Sequence, residues 1–230
     1  QQALHDRGVV VVAGVDEVGR GALAGPLTVA AVVFDATCRI RGLDDSKRLT
    51  PARREVIAVQ LRAIAADFAI VHIEPAEIDA IGIGSAVRAG MERAVTSLAM
   101  TPDHVLVDGN DARLPMTATA VIGGDHLCAC IAAASVIAKV ERDALMRALA
   151  AEYPAYGLDN NKGYGTAEHL ETIGLPGPTI IHRPCFPPSS QPPPFLVPSP
   201  TPDPAQAPAS PRTGPARRAA PRSRPWVVPH

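Results

Sequence analysis

Acidic side chains follow apolar stretches of this sequence at three separate places. Asp16 and Glu17 come directly after the run VVVVAGV. Asp108 follows HVLV, and Asp125 follows TATAVI and two glycines. Short β-branched runs bounded by glycine are typical of strands, and α/β sheets gather their ligands at strand ends. We therefore predict that these four carboxylates converge on one site.

The chemistry that this set indicates is metal-assisted attack at phosphorus. Ligation by carboxylate oxygens alone selects hard cations, Mg²⁺ or Mn²⁺, and argues against zinc. Such ions also offset the cost of burying acids that repel one another. Two of them about 3.5–4 Å apart form a clamp for in-line displacement. Taken singly, Asp108 before Gly109 could be a turn residue, and Asp125 could be a helix N-cap.

The adjacent pair requires a particular strand geometry. Side chains alternate along a regular strand, so Asp16 and Glu17 cannot both face one site from it. We expect the strand to end or distort there, helped by Gly19. A second β-branched run, LTVAAVVF, returns after the glycine-rich turn, which places the pair beside a hairpin in the middle of a sheet.

The remaining segments alternate between strand and helix patterns, which predicts an α/β fold with a mixed central β-sheet flanked by helices. Thr50 and Pro51 mark the N-cap and first residue of one helix. The longest helical pattern, at 127–152, is apolar on every side in its first half and must be buried. Further strands are predicted at 68–73, 104–107 and 117–122, and further helices after the glycines at 82 and 84 and around 168–173.

Composition bounds the rest of the prediction. The chain has 230 residues, of which 47% are hydrophobic, and this suits one globular domain. No apolar segment reaches the roughly 20 residues of a membrane span, and the cysteines lack metal-ligand spacing. Residues 187–230 contain 15 prolines, a composition that favours disorder. We expect a cytoplasmic protein with a catalytic domain at 1–186 and a disordered Pro-rich tail at 187–230.

The segment GVDEVGRG at 14–21 resembles the signature of the ribonuclease HII family, and further blocks follow in that family's order. These blocks are DSKRLT at 45–50, VDG at 107–109, GGD at 123–125, IAAASVIAKVERD at 131–143, KGYGT at 162–166, and His182-Arg183 with Phe186. The similarity spans about 12–186 and implies a ribonuclease H-like fold. It departs from the family at Gly82, Asn161 and Pro184-Cys185, which puts local loop geometry in question and not the four acids.

The resemblance implies a metal-dependent endonuclease with a two-metal-ion mechanism. Asp16, Glu17, Asp108 and Asp125 match the family's metal-binding catalytic acids, with Mn²⁺ or Mg²⁺ as the cofactor. The substrate would be the RNA strand of RNA–DNA hybrids. Such enzymes also cut 5′ of single ribonucleotides embedded in duplex DNA, and leave 3′-hydroxyl and 5′-phosphate ends.

The resemblance also implies the residues that hold the substrate. Reading a 2′-hydroxyl through backbone amides needs a segment without obstructing side chains, which suits Gly19, Arg20 and Gly21. Tyr164 matches the family's tyrosine that senses the same nucleotide. Phosphate or backbone contacts are implied for a further set, which comprises Ser46, Lys47, Ser135, Lys139 and Arg142.

Two other functions remain open from the sequence. The chain could be another metal-dependent phosphoryl-transfer enzyme of the same fold that acts on DNA or on a nucleotide. It could also be an inactive module that binds RNA–DNA hybrids without cutting them. For the main hypothesis, the expected partners are RNA–DNA hybrids and DNA containing ribonucleotides, and the expected state is a monomer without membrane contact.

Overall fold

The centre of the fold is a mixed five-stranded sheet. In chain order its strands are β1 (Val12–Val18), β2 (Leu27–Val33), β3 (Asp67–Ile73), β4 (His104–Asp108) and β5 (Ala118–Val121). Their spatial order is β3-β2-β1-β4-β5. The pairs β1–β2 and β2–β3 are antiparallel, whereas β1–β4 and β4–β5 are parallel. The hairpin therefore lies in the middle of the sheet, with β1 at its centre.

The structure is a computed structural model that describes residues 1–35 and 50–186. Ser46, Lys47 and the tail predicted at 187–230 lie outside the described residues. The described helices are α1 (Gln2–His5), α2 (Pro51–Ile64), α3 (Pro75–Ile81), α4 (Ile83–Thr96), α5 (Gly124–Leu127), α6 (Ala129–Glu152), α7 (Leu158–Asn161) and α8 (Ala167–Gly174).

Helices cover both faces of the sheet, because the strand side chains alternate between two apolar clusters. Val12 and Val32 pack with the buried residues of α2 and α6 on one face. Val15 and Val29 pack with those of α3 and α4 on the other. Both sides of β1 and β2 are thus buried, as their nearly continuous apolar sequence predicts.

Helix α6 lies unusually close to β1. A Cβ built at Gly14 would lie 2.3 Å from the backbone carbon of Cys130, so only glycine fits there. The alanines at 132, 133 and 134 are buried in this part of the helix. Small residues on both elements therefore bring α6 against the strand that carries Asp16 and Glu17.

The predicted α/β fold with a mixed sheet is confirmed. The Thr50 hydroxyl accepts a hydrogen bond from the Arg53 amide at 3.3 Å, so Thr50 caps α2 as expected. Helix α3 was not predicted, and it is separated from α4 by Gly82 at φ +77°. Among the described residues, no helix is both long enough and apolar enough to cross a bilayer.

Candidate active site

The structure brings the four predicted acids to one cavity. This cavity, of about 320 Å³, is lined by side chains from β1, α2, β4, α5 and α6 and from the loop before α8. Its lining residues are Asp16, Glu17, Val18, Arg54, Asp108, Asp125, Ser135, Lys139 and Tyr164. We refer to it as the acid cavity.

The expected break in β1 at the adjacent pair is wrong. Asp16 and Glu17 both pair with β2 in regular register, and the strand continues to Val18. On the other edge, the last residue of β1 that pairs with β4 is Val15. The neighbouring strand thus stops pairing just before the two acids, and both side chains can border one cavity without any distortion of β1.

Asp108 and Asp125 are fixed relative to each other by the turn between β5 and α5. Asp108 Oδ1 accepts a hydrogen bond from the Gly124 amide at 2.8 Å. Gly123 adopts a left-handed conformation with φ +66°, which favours glycine. Asp125 then lies in the first turn of α5 and is buried. The GGD segment thereby places Asp125 beside the carboxylate that ends β4.

The acid cavity accumulates negative charge in a partly buried setting. Burial raises the pKa of Asp16 to about 8, a hydrogen bond from Ser135 opposes this, and the carboxylates of Glu17 and Asp108 add to it. Burial also raises the pKa of Glu17, and Arg20, 3.6 Å away, lowers it. The local field therefore favours a bound cation.

The donor set fits a hard divalent ion, since all four candidate ligands offer carboxylate oxygens. Within residues 1–35 and 50–186, no three or more His, Cys, Asp or Glu side chains are already grouped closely enough to hold a metal ion. Ser135 adds a hydroxyl beside Asp16. The acid cavity thus has the oxygen chemistry for Mg²⁺ or Mn²⁺.

A buried arginine binds backbone carbonyls of the segment Gly19-Arg20-Gly21, which we call the glycine segment. Arg183, which is 2% exposed, donates from Nη1 to the Gly19 carbonyl at 2.7 Å and to the Arg20 carbonyl at 3.4 Å. In a trans peptide the N–H points opposite to the C=O. The amides of Arg20 and Gly21 are therefore directed away from Arg183 and the protein interior, as a segment that reads a hydroxyl requires.

The two glycines of this segment have different surroundings. Gly19 has φ +88°, and a Cβ there would lie 2.1 Å from Arg142 Nε. Gly21 is exposed, and a Cβ there would meet no heavy atom within 4 Å. Glycine is thus required at 19 by the fold itself, whereas nothing in the described protein restricts the side chain at 21.

Arg142, for which we predicted a phosphate contact, directs its guanidinium to backbone carbonyls of the protein itself. It is fully buried, and its guanidinium donates to the carbonyls of Pro26, Lys162 and Ala24 at 2.8–3.1 Å. Its Cζ also lies 5.4 Å from the centre of the Tyr164 ring. The arginine therefore joins the glycine-rich turn to the loop that carries Tyr164. Sequence alone could not reveal this, because a positive charge in a nuclease motif suggests phosphate.

The other predicted substrate residues have mixed placements. Lys139 lines the acid cavity, with Nζ 2.7 Å from Asp143 Oδ1. Tyr164 lines the same cavity, and its loop is tied to the turn because the Leu23 amide donates to the Gly163 carbonyl at 2.8 Å. Ser46 and Lys47 lie outside the described residues. Arg54 of α2 also lines the cavity, and sequence reasoning missed it because a helical arginine carries no distinguishing signal.

His182 pairs with Ala24 of the glycine-rich turn after β1. Because this histidine is buried, we predict that the folded protein loses stability at acidic pH. Burial, with His169 nearby, lowers the pKa of His182 to about 4. The folded state disfavours the charged form of His182, whereas the unfolded chain takes up the proton at a pKa of about 6.5. The free energy of unfolding is therefore unaffected by this histidine above about pH 6.5 and falls as the pH drops from about 6.5 towards 4. We expect unfolding free energy to drop by up to about 3 kcal/mol across this range. Urea titrations at pH 7 and 4.5 check this, and His182→Asn should flatten the dependence. An unchanged slope in the variant would contradict it.

The fold and the acid cavity define a class of enzyme, the metal-dependent nucleases with a ribonuclease H-like fold. The chain is similar to the crystal structure of ribonuclease H2 from Pyrococcus horikoshii OT3, with a TM-score of 0.67 and 29% sequence identity. The match covers 76% of this chain and 93% of that one.

The family itself is shown by sequence. The model of the family described as Ribonuclease HII matches residues 13–187. Ribonuclease HII of Moorella thermoacetica is 46% identical over 187 residues, which cover 81% of this chain and 91% of the relative. The ribonuclease HII of Rhodopseudomonas palustris BisA53 is 49% identical over 189 residues, which cover 82% of this chain and 68% of that relative. The chain belongs to the ribonuclease HII family. It is a divalent-metal-dependent endonuclease that hydrolyses phosphodiester bonds of RNA in RNA–DNA hybrids.

Proposed function

We propose that this chain also cuts duplex DNA on the 5′ side of a single embedded ribonucleotide, and that its products carry 3′-hydroxyl and 5′-phosphate ends. The observation that supports this is that Arg183 holds the carbonyls of Gly19 and Arg20, which turns the amides of Arg20 and Gly21 away from it. The same segment lies beside the acid cavity, because Arg20 is 3.6 Å from Glu17, which lines that cavity. A site that reads one 2′-hydroxyl through two amides needs only one ribonucleotide. Long runs of RNA are then unnecessary for recognition.

Each side chain takes a role from its position. Asp16, Glu17, Asp108 and Asp125 would hold two Mg²⁺ or Mn²⁺ ions, which would supply an activated water and charge stabilisation for the leaving 3′-oxygen. The glycine segment binds the ribose, with the amides of Arg20 and Gly21 donating to its 2′-hydroxyl. Tyr164, whose ring lies over Arg142, packs beside that sugar. Lys139 offers its ammonium group to a phosphate.

We propose that residues 1–186 form the catalytic unit. It acts as a monomer in the cytoplasm and does not bind a membrane. All four acids, the glycine segment and Tyr164 come from a single copy of the chain. No residue of a second copy is needed to complete this set. The tail at 187–230 has no assigned part in the reaction.

The test uses a duplex with one ribonucleotide, labelled at either end in turn. With Mn²⁺ or Mg²⁺ we expect a single break 5′ of the ribonucleotide, and no break with EDTA. A polymerase should extend the upstream product, and phosphatase should change the mobility of the downstream one. Equal cleavage of an all-DNA duplex would favour a general nuclease, and binding without cleavage would favour an inactive module. Either result would overturn the proposal.

A further inference from the structure

A second cavity lies directly beside the acid cavity. It also measures about 320 Å³, and it shares Glu17 and Asp108 with the acid cavity. The rest of its lining comes from the glycine segment, from α4 and from the loop after β4. The two acids thus stand between two concave surfaces, of which the sequence indicated only one.

Three arginines distinguish this second cavity. Arg20 comes from the glycine segment, Arg88 from α4 and Arg113 from the loop after β4. Their side chains are 62%, 42% and 77% exposed. A guanidinium has five donors and matches the oxygens of a phosphate in a bidentate way. We name this surface the arginine cavity.

Asp111 orders two of these arginines. Its carboxylate accepts from Arg113 Nε at 2.8 Å and from Arg113 Nη2 at 2.7 Å, and it lies 3.9 Å from Arg88 Nη1. The guanidinium of Arg113 lowers the pKa of Asp111 to about 2, so the carboxylate stays ionised. Fixing the guanidinium planes in advance reduces the entropy lost when an anion binds.

The charge balance of the arginine cavity depends on the acid cavity. When Glu17 and Asp108 are neutralised by cations, the three arginines face only the single charge of Asp111. The surface is then net positive next to the point of cleavage. A nucleic-acid strand carries one phosphate per about 3.4 Å of helix axis, so phosphates adjacent to the cut phosphate lie within reach of such a surface.

We propose that the arginine cavity binds a backbone phosphate of the substrate, adjacent to the phosphate that is cut, with Arg88 and Arg113 as its ligands. This inference goes beyond the proposed function, since it requires only that the RNA–DNA hybrid crosses the acid cavity. The contact positions the strand without reading its sequence. It adds affinity and salt dependence to substrate binding, and it takes no part in the chemical step.

The test compares the parent chain with Arg88→Gln, Arg113→Gln and the double variant on an RNA–DNA hybrid. Arg93→Gln is the matched control, because Arg93 lies on the same helix but pairs with Glu77 outside the cavity. We expect KM to rise about tenfold in the double variant, with kcat unchanged. The slope of log KM against log salt between about 50 and 200 mM should fall by about 1 per arginine.

Fluorescence anisotropy of a labelled hybrid, with Ca²⁺ in place of Mg²⁺ so that a divalent ion still neutralises Glu17 and Asp108, reads binding rather than cleavage. The double variant should show a weaker salt dependence of binding than the parent and Arg93→Gln. A double variant that keeps the parent's KM and salt slope would overturn the proposal, as would a fall in kcat at unchanged KM. If the parent cut the hybrid but not the duplex with one ribonucleotide, the proposed function would fail, and the anisotropy slopes would still decide this inference.

Discussion

Asp108→Asn is expected to slow cleavage of an RNA–DNA hybrid by at least about 1,000-fold while the protein remains folded. Lewis-acid stabilisation by a bound ion is worth several kcal/mol, and each 1.4 kcal/mol is about tenfold in rate. The amide retains an oxygen that can accept from the Gly124 N–H, as Asp108 Oδ1 does at 2.8 Å. The change therefore removes a charge from the acid cavity and leaves the turn before α5 in place.

Thermal unfolding supplies a second readout for the same variant. An ion that binds only the folded state stabilises it by about 2.7 kcal/mol at 100 times its Kd. The parent should therefore gain stability as Mn²⁺ is added, and Asp108→Asn should gain less. Asp6→Asn, an exposed change at the end of α1, serves as the control and should match the parent. A variant that keeps both a tenth of the parent's rate and its full response to Mn²⁺ would show that Asp108 is not a ligand.

Gly21→Leu is expected to reduce cleavage at a single ribonucleotide by about 100-fold, because displacing reacting groups by as little as 1 Å can cost that much. The position is open on the protein side, so the new side chain can only obstruct what binds there. The unfolding free energy should change by less than about 0.5 kcal/mol. Single-turnover rates on the ribonucleotide duplex, together with urea titrations, separate the two effects.

The control for this variant is Gly174→Leu, at the exposed end of α8, where a Cβ would also meet nothing within 4 Å. It should cut at the parent's rate. Gly19 cannot serve for the same test, because a side chain there would collide with Arg142 and unsettle the fold. A Gly21→Leu enzyme that cuts the ribonucleotide duplex as fast as the parent would mean that the 2′-hydroxyl is read elsewhere.

The sequence was sufficient for the features that local patterns encode. Two nearly continuous apolar runs correctly indicated strands buried on both faces, and Thr50-Pro51 correctly marked the start of α2. The positions of Asp16, Asp108 and Asp125 after apolar stretches indicated that they meet, and they line one cavity. These inferences work because periodicity and capping depend on neighbouring residues.

The features that the sequence could not predict depend on distant partners. The regular course of β1 through Asp16 and Glu17 depends on where its pairing with β4 stops, and no local pattern carries that information. Arg142 has the chemistry of a phosphate ligand. Its burial, and its hydrogen bonds to three backbone carbonyls from distant segments, are visible only in the folded structure. The arginine cavity joins residues from three separate segments, which no single motif contains.

The central claim is that four carboxylates from two strand ends and one short helix hold divalent ions at a single site. The most direct measurement is the anomalous scattering of crystals soaked in Mn²⁺. We predict two peaks about 3.5–4 Å apart, each within bonding distance of oxygens from Asp16, Glu17, Asp108 or Asp125. Featureless density between these side chains at saturating Mn²⁺, with the carboxylates directed apart, would contradict the account.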